Sequence, residues 1–166
     1  VISPVVVQPA ITIPPIFQKK IWQWSPQPRM IQFAIHRELR TVSLIANEAG
    51  LPSLLEQVSF QETELRLLIA LLVYWPAYCP FEELYASFYA NSQDEAARTA
   101  ARQHLKRARE TDQWRQEVGP IRNALSRTRK KIKAFTSASY VFDIISVFDE
   151  GYLLEVRTRE EKGSPQ

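Results

Sequence analysis

Between Gly119 and Lys133 the chain reads G-P-I-R-N-A-L-S-R-T-R-K-K-I-K, six cations without an acid, and acids are absent from 119 to 142. These side-chain types suit contact with duplex DNA. Arginine bonds bidentately to a guanine edge, asparagine does the same with adenine, and lysine pairs with phosphate as a point charge. The spacing predicts that Arg122, Asn123, Ser126 and Arg127 approach base edges, while Arg129, Lys130, Lys131 and Lys133 mainly contact phosphate. The competing reading is an ordinary solvated helix face, the usual fate of a charge block. The lack of any acid in the stretch weighs against it.

No second constellation competes with this one. A single cysteine, Cys79, excludes an internal disulfide and a cysteine-based metal site, and reads as a small buried hydrophobe. His36 and His104 stand alone and far apart in sequence. The paired acids Glu82–Glu83 and Asp94–Glu95 read as helix-start or solvated residues. Neither catalysis nor a metal or cofactor is expected.

The formal net charge of +3 conceals a strong asymmetry. Residues 1–97 carry six Lys/Arg against nine Asp/Glu, residues 98–133 twelve against three, and residues 134–166 three against six. A field concentrated in this way attracts a polyanion even when the whole chain is nearly neutral. The longest apolar run, Leu67–Tyr74, is far short of a membrane span and fits a buried helix. The first residues lack a methionine and a basic leader, so neither a signal peptide nor a complete natural start is evident, and the sequence reads as a fragment of a longer protein.

The elements that would position the cations follow from periodicity. Six of the eleven prolines lie in the first 28 residues, so 1–29 is expected to be an extended arm or linker, with Trp22 and Trp24 as anchors or a partner surface. Short strands are predicted at Ile31–Ile35, Thr41–Ile45 and Gln57–Phe60, punctuated by Asn47, Gly50 and Pro52. A helix over Gln61–Tyr74, ended by Pro76, places Leu65, Leu68, Ile69 and Leu72 on one face. A second helix is predicted from Pro80 to about Ala90. An additional helix after Ser92 is expected to open with a Ser92–Glu95 capping box, to pack weakly through its alanines and Leu105, and to leave Arg98, Arg102, Lys106, Arg107 and Arg109 exposed. Trp114 is expected to pack this excursion, 91–118, back onto the domain. The cationic helix is then predicted to start at Gly119-Pro120, because a first-turn proline loses no hydrogen bond. Its core stripe would be Ile121, Leu125, Thr128, Ile132 and Phe135, with Ala124 at the margin. A β-hairpin over 144–156 turns at Asp149-Glu150-Gly151, and a polar tail over 158–166 ends the chain.

Several strings, in this order, resemble the C-terminal DNA-binding domain of OmpR/PhoB-type response regulators. V-S-F-Q-E-T-E-L-R-L-L-I-A-L-L at 58–72 is similar to that family's strand and first helix, and C-P-F-E-E-L-Y-A-S-F-Y at 79–89 to its second. I-R-N-A-L-S-R-T-R-K-K-I at 121–132 is similar to the recognition helix, and G-Y-L-L at 151–154 to the closing strand. The resemblance covers roughly 30–157. It implies an α+β winged helix-turn-helix: a short N-terminal antiparallel sheet, three core helices, here with a helical insertion at about 91–118, and a C-terminal hairpin wing. Three features depart from the family. The first 30 residues are too few for a receiver domain, the 91–118 segment replaces a short loop, and the wing tip reads F-D-E-G where a basic residue is common.

The leading expectation is therefore non-enzymatic, sequence-specific binding of double-stranded DNA in transcription regulation, in a cytoplasmic, nucleoid-associated protein with no membrane contact. The 91–118 segment is a candidate contact for RNA polymerase or another protein, and homo-oligomerisation stays open. Two alternatives remain: a protein-interaction adaptor built on a winged helix, or the DNA-targeting part of a recombination factor.

Overall fold

A computed structural model describes residues 30–48, 51–91, 93–135 and 140–158. The arm at 1–29 and the tail from 159 onward lie outside the described residues. Among the described residues, four helices and two small antiparallel sheets make up a mixed α+β fold.

Strands β1 (Met30–His36), β2 (Thr41–Glu48) and β3 (Leu51–Ser59) form a meander in sequence order. Phe33, Ile35, Val42 and Leu44 are buried, whereas the first four residues of β3 are exposed, so the sheet faces the core mainly through its first two strands. The third strand is longer than its sequence suggests. Pro52 and Asn47 sit inside strands rather than between them, opposite one another in the register. Proline is tolerated there because β3 is an edge strand with one side unpaired. The register shifts between Leu44 and Ile45, where β3 carries an extra residue.

Helix α1 (Glu62–Tyr74) buries Leu65, Leu67, Leu68, Leu71 and Leu72. Its start is fixed by the Glu64 carboxylate, which accepts from the Gln61 backbone N–H at 2.8 Å. Strand β4 (Cys79–Pro80) leads directly into α2 (Phe81–Tyr89), for which extended Pro80 is the N-cap. Helix α3 (Glu95–Glu110) is capped by Asp94, whose side chain accepts from the Ala97 N–H at 3.0 Å. The cap is thus Asp94, and the expected cap, Ser92, lies outside the described residues. Leu105 is completely buried and Ala108 nearly so, which makes α3 part of the core rather than a weakly packed excursion.

Helix α4 (Trp114–Ile132) starts six residues ahead of Pro120, which lies within it. The proline removes the hydrogen bond that the Gln116 carbonyl would otherwise accept, a cost of about 3 kcal/mol in a helix interior. Burial offsets it. Val118, Ile121, Ala124, Leu125, Thr128 and Ile132 are all at most 1 % exposed, and the Trp114 ring packs edge-on against Phe81 at 5.3 Å. Residues 114–118 therefore belong to the cationic helix and not to the insertion.

Strands β5 (Tyr140–Val147) and β6 (Gly151–Thr158) form the C-terminal hairpin, with β4 added to the outer side of β6. At Gly151 a Cβ would stand 1.9 Å from the Cys79 carbonyl oxygen, so only glycine lets β4 close on β6. Phe33 meets Phe142 at 4.9 Å and Phe135 at 5.9 Å, joining the first sheet, the end of α4 and the hairpin in one core.

Candidate nucleic-acid interface

Helix α4 rests on its apolar stripe and exposes the opposite arc. Stepping about 100° per residue, that arc divides into three lanes. Asn123, Ser126 and Lys130 lie at its outward pole, Arg122, Arg129 and Lys133 on the flank toward the hairpin, and Arg127 and Lys131 on the flank toward α1. All but Lys131 are exposed.

Exposure does not make these cations equally available. Arg129 makes a two-pronged pair with Asp143, at 2.7 and 3.2 Å, and Lys133 approaches the same carboxylate at 3.5 Å. Burial pushes the Asp143 carboxyl up. The bonds from Arg129 and from the Ile144 N–H, with the charges of Arg129 and Lys133, outweigh that and hold it below the usual carboxylate range. Lys131 is bound at 2.6 Å to Glu64, which is completely buried, and its ammonium stands 5.5 Å from the Phe60 ring centre. Arg122 lies over the Phe81 ring and 3.6 Å from Asp149 at the hairpin tip. Four of the eight predicted contacts are therefore tied to carboxylates from other elements. Lys131 in particular closes α4 onto α1 through its pair with Glu64.

Asn123, Ser126, Arg127 and Lys130 remain, with no hydrogen bond or ion pair to the described residues. The small Asn123 and Ser126 side chains at the pole let the helix axis come close to a groove floor. Arg127 and Lys130 bring the longer cationic reach. Such a set can donate to base edges and to phosphate without first breaking a protein contact.

Three of the four arginines of α3 are also committed. Arg98 and Arg102 converge on Glu83 of α2, Arg102 at 2.6 Å, and Arg102 also reaches Glu95. Arg109 bonds to Glu82 and to the Asp149 carbonyl and covers the Trp114 ring at 4.0 Å. The half-buried Arg98 and Arg102 thus bind α3 to its neighbours, contrary to the expectation that they stay exposed, and Arg109, exposed as expected, is nonetheless engaged three times. Lys106 and Arg107 are exposed as expected. His104 is likewise not isolated. Its Nε2 lies 3.1 Å from Glu117, which also accepts from the Tyr85 hydroxyl at 2.9 Å, and these two bonds hold the Glu117 carboxyl below its ordinary value.

The hairpin tip is pinned by three elements. The Phe81 N–H donates to the Glu150 carbonyl at 3.0 Å, Arg109 donates to the Asp149 carbonyl at 3.1 Å, and Arg122 approaches the Asp149 side chain. Phe148 leaves it for solvent, 88 % exposed. Cys79 is buried, which pushes its thiol up to about 12, so it is inert as a nucleophile. Among the described residues no group of histidine, cysteine and carboxylates could hold a metal, and no helix is long and apolar enough to cross a membrane. No family model matches the chain, and comparisons with curated proteins and with solved structures returned no match.

Proposed function

We propose that this chain binds double-stranded DNA sequence-specifically, as a winged helix-turn-helix of the OmpR/PhoB type acting in transcription regulation. In this reading α1, α2 and α4 are the three core helices, α4 enters the major groove, β5 and β6 form the wing, and α3 is an added helix. The observation that carries it is the outward arc of α4, where Asn123, Ser126, Arg127 and Lys130 stand exposed, and unpaired among the described residues, on a helix whose other side is fully buried. A rigid helix presenting donors without internal partners meets the geometric need of groove reading.

The division of roles is narrower than the sequence suggested. Arg127 and Asn123 read base edges, Lys130 holds phosphate, and Arg122 contributes only after leaving Asp149. Arg127→Ala is expected to weaken binding to a selected sequence by about 1–3 kcal/mol with a smaller effect on random duplex, whereas Lys130→Ala weakens both alike. Titration of both variants against both DNAs checks this, and equal losses everywhere would contradict it.

One observation favours the adaptor reading instead. The pinned tip offers Phe148 beside Asp149 and Glu150, a rigid aromatic anchor with acidic neighbours, which suits a protein pocket better than phosphate. That reading predicts little DNA affinity at moderate salt, and loss of a partner on Phe148→Ala.

A further inference from the structure

The resemblance to winged helices places the second DNA contact on the hairpin. Charge is distributed the other way here. On the hairpin side of α4, Asp143 and Asp149 engage Arg122, Arg129 and Lys133, and Glu150 adds a further acid, whereas the opposite side leads to cations without an acidic partner among the described residues. Phe60, whose ring lies beneath the Lys131 ammonium, donates its backbone N–H to the Arg40 carbonyl at 2.7 Å. Arg40 belongs to the β1–β2 turn, 37–40. The turn and the C-terminal half of α4 thus both meet Phe60, Arg40 at its backbone and the Lys131 ammonium at its ring.

The turn is well defined. The Arg40 N–H donates to the Arg37 carbonyl at 3.2 Å, and the Leu39 N–H donates to His36 Nδ1 at 3.1 Å. Arg37 and Arg40 are exposed and, among the described residues, neither pairs with an acid. Both border an open groove of about 870 Å³ along α1, whose other arginines, Arg66 and Arg98, are already bound to Glu62 and Glu83. Glu38, on the same turn, offsets part of their charge.

Resting on the DNA-binding reading above, we infer that Arg37 and Arg40 form a second phosphate contact, on the β1–β2 turn rather than on the hairpin. With α4 in the major groove, the DNA strand along its Arg127 and Lys131 flank passes over Phe60 and reaches the turn. The strand on the other flank meets the acidic hairpin and gains less. The contact is to the backbone, so it is independent of sequence.

The test is a salt titration of duplex binding by the full chain and by an Arg37→Gln/Arg40→Asn double variant. Arg40 has φ +52°, a conformation that asparagine accepts well, so the charge is removed without backbone strain. A thermal melt of the variant verifies its fold. The expected result is a several-fold loss of affinity, equal on selected and random duplex, with log K against log salt shallower by about 0.9 for each phosphate that the variant no longer neutralises. An unchanged slope in this variant, while Lys130→Ala makes the slope shallower, overturns the inference and leaves the α4 reading standing. Absence of duplex binding by the unaltered chain overturns both.

Discussion

The pairing of each α4 cation decides what it can do. Arg122 has the residue type and position of a base reader, but Asp149 lies 3.6 Å away and both side chains are about half exposed. An exposed pair of this kind is worth about 0.2–1 kcal/mol, so in the proposed complex Asp149 would compete only weakly with DNA for Arg122. Asp149→Asn should therefore raise affinity for any duplex by about two- to fivefold, the scale of that pair. Asparagine also suits the φ of +49° at this position, so the turn should persist. Fluorescence anisotropy at low salt reads the change, and unaltered affinity would mean that Arg122 does not touch DNA. None of this pairing was legible locally. The sequence from 119 to 142 is free of acids, yet the carboxylates that hold Arg122, Arg129, Lys131 and Lys133 come from Asp149, Asp143 and Glu64, brought in by tertiary packing. An acid-free segment therefore says little about how many of its cations remain unpaired.

At the scale of elements, α1, α2 and the hairpin were legible because their apolar spacing matches a single secondary-structure period. The core stripe of the cationic helix, from Ile121 to Phe135, is buried as its spacing implied. Its start was misread because Gly119-Pro120 looks like a boundary. The signal that places it earlier is the apolar spacing itself, since Trp114 and Val118 extend the Ile121–Leu125 stripe one turn and more upstream, and burying them outweighs the lost hydrogen bond. The alanine- and arginine-rich composition of α3 likewise suggested a surface appendage. Its packing rests on Leu105 and Ala108, the expected residues but far more fully buried, and on ion pairs to Glu82 and Glu83, which no local pattern reveals. Leu105→Ala is accordingly expected to cost about 2–5 kcal/mol, as for other fully buried leucines. Urea unfolding checks this. A loss below about 0.5 kcal/mol, the scale of an ordinary surface substitution, would return α3 to the status of an appendage.

For the whole molecule, helices, hairpin and first sheet share one core, while ion pairs tie α4 to α1 and to the hairpin. Asp143 in these contacts, and Glu117, which accepts from His104 and Tyr85, have folded-state affinities for protons below their ordinary values of 3.8 and 4.5. Their contribution is complete above those values and is lost as pH falls through the lower folded-state values. Stability should therefore decline below about pH 4.5, and an Asp143→Asn/Glu117→Gln variant should be less stable at neutral pH with a flatter decline in that acid window. Urea midpoints across pH test this, and parallel curves for the two proteins would exclude these groups as the cause. The charge pattern of the molecule also sets its proposed direction on DNA. The outward pole of α4 and the β1–β2 turn are open to phosphate, and the hairpin tip is acidic. Retention of the chain on a pool of random duplexes across a salt series, with the bound DNA sequenced, tests the central claim most directly. The account predicts an enriched motif, diminished in Arg127→Ala, and a steep salt slope, made shallower by Lys130→Ala; no retention even at low salt would contradict it.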